Sequence, residues 1–429
     1  MVGLHEGCGA TYNWRMRLWI LGLVLVVTGC ATRQAPTGSV IFVHPDGASL
    51  NHWNAARIYH AGPDGQLEWD QLPGLALYRS HLADNLSATS HGGGTTHAFG
   101  IKVPADSYGM NGQQPLVARS GAPHSIMREA QSRGLAVGIV NSGDLNEPGT
   151  GCFLASVTSR QASEEIVAQI VASGADVILG GGERWFLPHG VVGRHGAGER
   201  TDGRNLVTAA QAAGYTVVYD APELAAAAPR AAKLLGLFAH KATFNDVPEE
   251  QGLPHYQAGA PTLAEMTSAA LQVVARNHRP FLLVVEEEGT DNLGNINNAA
   301  GTLEALRRAD AAIGVARRFV RHHPRTLLLT TADSDASGMQ VIGTVAKAGV
   351  PVPAPYDGRD GTATLPFDAA PDKAGRRLPF AIAWIGPYDT YGAVLVRGEG
   401  WNSDQIRGAF DNTDIYRLMY RTLFGIALP

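Results

Sequence analysis

Four short segments concentrate the residues that could do chemistry: His44-Pro45-Asp46-Gly47, Glu286-Glu287-Glu288-Gly289-Thr290-Asp291, Ala332-Asp333-Ser334-Asp335, and Thr89-Ser90-His91-Gly92-Gly93-Gly94-Thr95-Thr96-His97. The first three are rich in carboxylates. Carboxylates gathered away from water repel one another unless cations lie between them, so a divalent-metal cluster is the economical reading. A serine that opens a glycine-rich segment beside such a cluster can serve as a nucleophile, and the glycines let backbone N–H groups approach an anion. Taken singly, each feature is ordinary: a strand-end aspartate often caps a helix, and a glycine run often makes a turn. Their combination and order carry the inference.

The elements that must position these residues can be read from the apolar pattern. Runs at 40–44, 136–141, 176–179, 215–219, 281–286 and 326–331 have the length and composition of buried strands. Between them, residues 164–172 are apolar at Ile166, Val167, Ile170 and Val171 and stop at Gly174. Leu306, Ile313 and Val320 recur every seven residues ahead of Pro324 and mark a second helix. Strand–helix alternation predicts an α/β fold with a mostly parallel sheet covered by helices on both faces. In such sheets the chemistry lies beyond the C-terminal strand ends, where three of the four segments fall. Residues 344–378 are rich in Gly, Pro and Asp and read as an irregular excursion, a flap over the site.

Composition narrows the function classes. The chain has 429 residues, 45% of them apolar, which allows a large core. A net charge of −5 argues against a nucleic-acid-binding surface. Three cysteines exclude a disulfide scaffold and a cysteine-rich metal site. The N-terminus has the layout of an export signal: Arg15 and Arg17, the apolar run 18–27, then Val27-Thr28-Gly29-Cys30. The ending resembles a lipobox, which predicts a signal peptide over 1–29, lipid on Cys30, a tether over 30–39 and a catalytic domain over 40–429. The run is short for a membrane span. The expected location is the bacterial cell envelope, on the periplasmic face of a membrane.

The chemical segments together resemble the alkaline phosphatase family, over nearly the whole mature chain. "VIFVHPDGASLNHWNAARIY" is similar to the family's opening strand and metal motif, with Pro45 and Ala48 where glycine and methionine are usual; this implies a metal role for Asp46. Gly100-Ile101-Lys102 matches a family triplet, and the family nucleophile lies ten positions before its glycine, at Ser90. Thr89, Thr95 and Thr96 are alternatives, and Thr89 and His91 flank the bound substrate. "GIVNSGDLNEPGTGCFLASVTSR" is similar to the segment ending in the phosphate-binding arginine, implying that role for Arg160, whose planar fork suits two phosphate oxygens. In that segment Glu147 falls on a magnesium-site acid, and Gly149 falls on a hydroxyl ligand for which Thr150 substitutes by a one-residue shift. "FLLVVEEEGTD" implies metal roles for Glu286 and Asp291, and "TTADSDASG" for Asp333. The implied fold is the alkaline-phosphatase-like three-layer sandwich.

Where the family has three zinc-binding histidines, this chain has Asn295, Ser334 and no histidine near Thr390-Tyr391-Gly392. The donors left are oxygens, from Asp46, Asp291, Asp333, Glu286, Asn295, Ser334 and Asp335. Such sets favour magnesium, calcium or manganese over zinc. His91 and His97 flank the serine as alternative nitrogen donors, with packing the expected role for His97. The resemblance implies a metal-dependent phosphomonoester hydrolase working through a phosphoserine. Its alternatives are a phospho-ligand-binding lipoprotein with weakened catalysis, and a phosphodiesterase or sulfatase on the same scaffold. The expected partners are a small phosphorylated substrate and, through lipid, a membrane; a homodimer stays open.

Overall fold

The first strand, β1 (Ser39–Pro45), is buried along its whole length, because the apolar run SVIFV is covered from both faces. The structure is a computed structural model that describes residues 37–252, 254–343, 356–357, 362–363 and 367–429. These belong to one unit, Ala35–Pro429. The segments expected as signal peptide (1–29) and tether (30–39), Cys30 included, lie almost wholly outside the described residues, as does most of the excursion at 344–378. No described helix is long and apolar enough to cross a membrane.

Seven further strands follow: β2 (Gly74–Arg79), β3 (Ala136–Asp144), β4 (Val177–Gly181), β5 (Tyr215–Val218), β6 (Lys233–Leu237), β7 (Phe281–Glu287) and β8 (Thr326–Thr330). With Leu395–Gly400 and Arg407–Asp411 they form a ten-stranded sheet. Its order is Arg407–Asp411, β2, Leu395–Gly400, β8, β1, β7, β3, β4, β6, β5. Only Leu395–Gly400 runs antiparallel to its neighbours. All six runs read as strands are present, with ends moved by a few residues. The strands that the apolar pattern did not mark include β2, whose alternating burial leaves Leu75 and Leu77 exposed, and the last two.

The helices form two groups. Leu263–Val274 and Ala299–His322 pack on each other and on the centre of the sheet. Asn412–Phe424, Ser90–Phe99 and Ile126–Ser132 form the second group, completing the three layers. Ala299–His322 carries the Leu306, Ile313 and Val320 stripe, all buried. It starts where the Asn298 side chain accepts from Gly301 N–H and stops just ahead of Pro324.

The parallel register sets up the site. His44 of β1 pairs with Glu286 of β7, which pairs with Asn141 of β3. On the other side Val43 pairs with Thr330 of β8. The C-terminal ends of β8, β1, β7 and β3 therefore finish level, and the segments that follow them share one rim.

Candidate active site

Asp46 is the hub of that rim. It is fully buried just past the end of β1, and its backbone N–H is held by Glu287 O at 3.1 Å. The Ser90 and Asp333 side chains lie close enough to Asp46 to perturb its carboxyl. Two groups of ligand-bearing side chains converge on it. One is His44, Asp46 and Glu286; the other is Asp46, Glu288 and Asp291; within each, one ligand atom per residue lies within 4.8 Å of the others. Both Asp46 oxygens, both Asp333 oxygens, Glu286 Oε1, Glu288 Oε2 and Ser334 Oγ are buried without a hydrogen-bond partner. Unpartnered buried carboxylates are costly, and divalent cations satisfy them; this donor chemistry fits the metals that the sequence implies.

The electrostatics tell the same story. Burial, then the neighbouring carboxylates, push Asp291, Asp333 and Glu288 well above the ordinary range. Burial lifts Glu286 to about 8, with His44 pulling it down and Asp46 adding to the rise. Burial would also raise Asp46, but the adjacent His44 imidazole outweighs it and holds Asp46 below the usual range. Burial disfavours a charged His44, yet Asp46, Glu286 and Asp333 lift its pKa to about 10.

Ser90 is the first residue of helix Ser90–Phe99, which is buried throughout. Thr89 caps it: its hydroxyl accepts from Gly92 N–H at 3.1 Å and donates to Ala105 O at 2.7 Å. Those bonds commit the Thr89 hydroxyl to the helix start. Thr95 and Thr96 are likewise tied, to Ser107 O and Gly92 O. The glycines bring the helix against the acidic rim. A Cβ at Gly93 would lie 2.5 Å from Asp333 Cβ and Oδ2. Gly93→Ala should therefore displace Asp333, weaken metal binding in a calorimetric titration, and cost about 1–3 kcal/mol in thermal unfolding.

Arg160 stands beside the serine through His91, with Nη1 at 3.5 Å from His91 Nδ1, and its Nη2 donates to Glu147 Oε2 at 3.2 Å. Burial and Arg160 push His91 down to about 4, so the ring is neutral at pH 7. Glu147 was expected on a metal. Its carboxyl instead pairs with Arg160, and burial raises it to about 7 against the pull of that arginine. Thr150 accepts from Asn141 Nδ2 at 2.9 Å, and the same amide donates to Glu286 Oε2 at 2.6 Å, supporting that carboxylate from the side.

Asn295, expected as an amide-oxygen ligand, is turned the other way. Its Nδ2 donates to both Asp291 oxygens and to Asp389 Oδ1, each at 3.0 Å, and its oxygen accepts from Ser337. The Asp335 carboxylate lies 3.5 Å from His52 Nδ1, and its backbone carbonyl accepts from Thr390 Oγ1 at 3.0 Å. His97 packs edge-on against Phe42 and His44, and its Nε2 meets Tyr78 Oη at 2.6 Å.

Sequence reasoning missed three members of the rim: His44, Glu288 and Asp389. Period-two alternation held the signal for two of them, since His44 is two residues before Asp46 and Glu288 two after Glu286. Asp389 arrives because the short strand Asp389–Thr390 pairs with β9 (Asp335–Ala336). Beside Glu147 and Asn292 opens a cavity of about 470 Å³, whose polar wall includes Arg184, Lys241 and Asp246.

A family model described as alkaline phosphatase matches residues 38–372. The chain belongs to the alkaline phosphatase family. As a member, it is an alkaline-phosphatase-like phosphoric monoester hydrolase, with the α/β fold of that family. It is 30% identical to the streptomycin-6-phosphate phosphatase of Streptomyces griseus, over 94% of this chain and 96% of that protein. It is 29% identical to the alkaline phosphatase of Escherichia coli (strain K12), over 73% of each. The Thermus thermophilus alkaline phosphatase structure superposes with a TM-score of 0.71 at 23% identity, covering 94% of this chain and 95% of that one. A mutant of TAB5 alkaline phosphatase with Mg bound in its M3 site gives a TM-score of 0.70 at 20% identity, over 91% and 99% of the two chains.

Proposed function

We propose that this alkaline phosphatase family member is a metal-dependent phosphomonoester hydrolase that works through a phosphoserine on Ser90. The observation that carries the reading is the convergence of the Ser90 hydroxyl on Asp46, amid buried carboxylates that lack partners. Arg160 binds two non-bridging phosphate oxygens, and Glu147 and His91 hold its guanidinium in place. Ser90 Oγ attacks phosphorus, the bond from phosphorus to the ester oxygen breaks, and the alcohol leaves with a proton. Water then attacks the phosphoserine, which releases inorganic phosphate and returns the Ser90 hydroxyl. Asp46, Asp333, Asp291, Glu286 and Glu288 would hold the divalent cations, which supply Lewis-acid stabilisation of the charge on the attacking and leaving oxygens. The oxygen-rich Asp291–Asp333 side suits magnesium, manganese or calcium better than zinc. The alcohol portion lies toward the polar cavity beside Glu147.

Arg160→Ala should raise KM for an aryl phosphate and cut kcat/KM by about 10- to 100-fold. Glu147→Gln should act in the same direction and more weakly, because it frees the guanidinium without removing it. A screen of cations against monoesters, diesters and sulfate esters tests the function; no turnover of a monoester under any cation would reject it. We also propose export as a lipoprotein anchored through Cys30, supported by the basic–apolar–small order that precedes it. Mass analysis of the N-terminal peptide checks this.

A further inference from the structure

The acidic rim contains one imidazole that the reading above does not use. His44 is fully buried between Asp46, Glu286 and the main chain of β8's end. Its Nδ1 lies 2.9 Å from Thr331 O, an acceptor, so Nδ1 carries a proton. With that proton in place, a cation that displaces the second proton, from Nε2, meets a lone pair there, the arrangement that orients metal-binding histidines in general. Nε2 is 3.3 Å from Asp46 Oδ1 and 4.0 Å from Glu286 Oε1. None of these three atoms has a hydrogen-bond partner. A tetrahedral ion with bonds of about 2.1 Å places its donors about 3.4 Å apart, close to this spacing.

The surroundings are shaped for the ring and the carboxylate together. Asn141 Nδ2 holds Glu286 Oε2 at 2.6 Å, which turns Oε1 toward His44. A Cβ at Gly149 would lie 1.8 Å from Glu286 Oε1 and 2.7 Å from His44 Cδ2. Only a residue without a side chain leaves that space to the two ligands. Phe42 and His97 pack against the ring of His44, with centroids 5.7 and 5.6 Å away, and fix its plane.

We propose that His44 Nε2 is a metal ligand that, with Asp46 and Glu286, forms a nitrogen–oxygen site for a borderline divalent cation of the cobalt or zinc class. It rests on the reading that the rim binds cations. The site differs in kind from the Asp291–Asp333 side, where the described donors are oxygens. Asp46 is shared, so the two sites are electrostatically linked and the nitrogen donor gives them different metal preferences.

The test uses the full-length protein, stripped with chelator and titrated with Co²⁺ or Mn²⁺. Pulsed EPR should detect one directly bound imidazole ¹⁴N, and calorimetry a Co²⁺ equivalent that weakens by at least about tenfold in His44→Gln. The ¹⁴N signal should disappear in that variant. Gly149→Ala, which crowds Glu286 while keeping His44 and adding no donor, should weaken the same equivalent. Ions bound with oxygen ligands only, or a His44→Gln titration like that of the wild type, overturn the His44 assignment and leave the cation-binding rim standing. No bound ions at all would overturn both. Retained ¹⁵N signals of a doubly protonated His44 ring at saturating Co²⁺ would likewise overturn the assignment, because the ring itself would then occupy the place of the ion.

Discussion

Ser90→Ala should reduce turnover of an aryl phosphate by on the order of 10⁴-fold or more, because none of the threonines on its helix is free to take over the attack. Thr89 is spent on the helix cap, Thr95 on Ser107 O and Thr96 on Gly92 O. The fold should be unaffected, since the lost oxygen is small and sits at the start of the helix. Substrate binding should persist through Arg160. Acid quenching of wild-type protein during turnover of a labelled phosphate should leave label on Ser90, and the variant should take up none. Turnover within a few-fold of wild type in Ser90→Ala would reject the serine as nucleophile.

Removal of metal should have the second large effect, on stability as well as on activity. Without cations, Asp291, Asp333, Glu286 and Glu288 are buried close together with raised pKa values. Between about 4.5, the ordinary value of Glu286, and about 8, the folded protein keeps a proton that the unfolded chain has lost. Stability of the stripped protein should therefore fall as pH rises through that window. His44 adds to the trend: its contribution is complete below 6.5 and is lost as pH rises through about 10. Cations displace those protons, so apparent metal affinity should rise with pH and the loaded protein should lack the decline. At a metal concentration 100 times Kd, each site adds about 2.7 kcal/mol of stability. Thermal unfolding of stripped and magnesium- or manganese-loaded protein between pH 5 and 9 measures both effects. Identical melting profiles would show that the rim does not bind these ions.

The central strands were legible because strands buried on both faces are written as unbroken apolar runs, as in Phe281–Glu287 and Thr326–Thr330. The edge of the sheet was not, because β2 is apolar on both faces while one face is exposed, and Leu395–Gly400 carries polar and glycine residues. For the site, the strand-end rule located the acids without knowing which of them meet. The family resemblance, not the strand-end rule, put Glu147 at a metal, and it did not foresee that the segment 144–160 folds so that Glu147 meets Arg160. Local spacing holds no information on such a pairing.

By itself, the sequence determined the fold class, the rim at the ends of β8, β1, β7 and β3, and the set of chemical groups available there, because these follow from periodicity and residue type. Only the tertiary structure decided which groups face one another. The level register of parallel strands placed His44 opposite Glu286, the absence of a side chain at Gly149 left room for both, and the pairing of Asp389–Thr390 with β9 delivered a carboxylate to Asn295. The physical reason is that ligand geometry depends on contacts between segments far apart in the chain, where a shift of one residue turns a side chain to the opposite face.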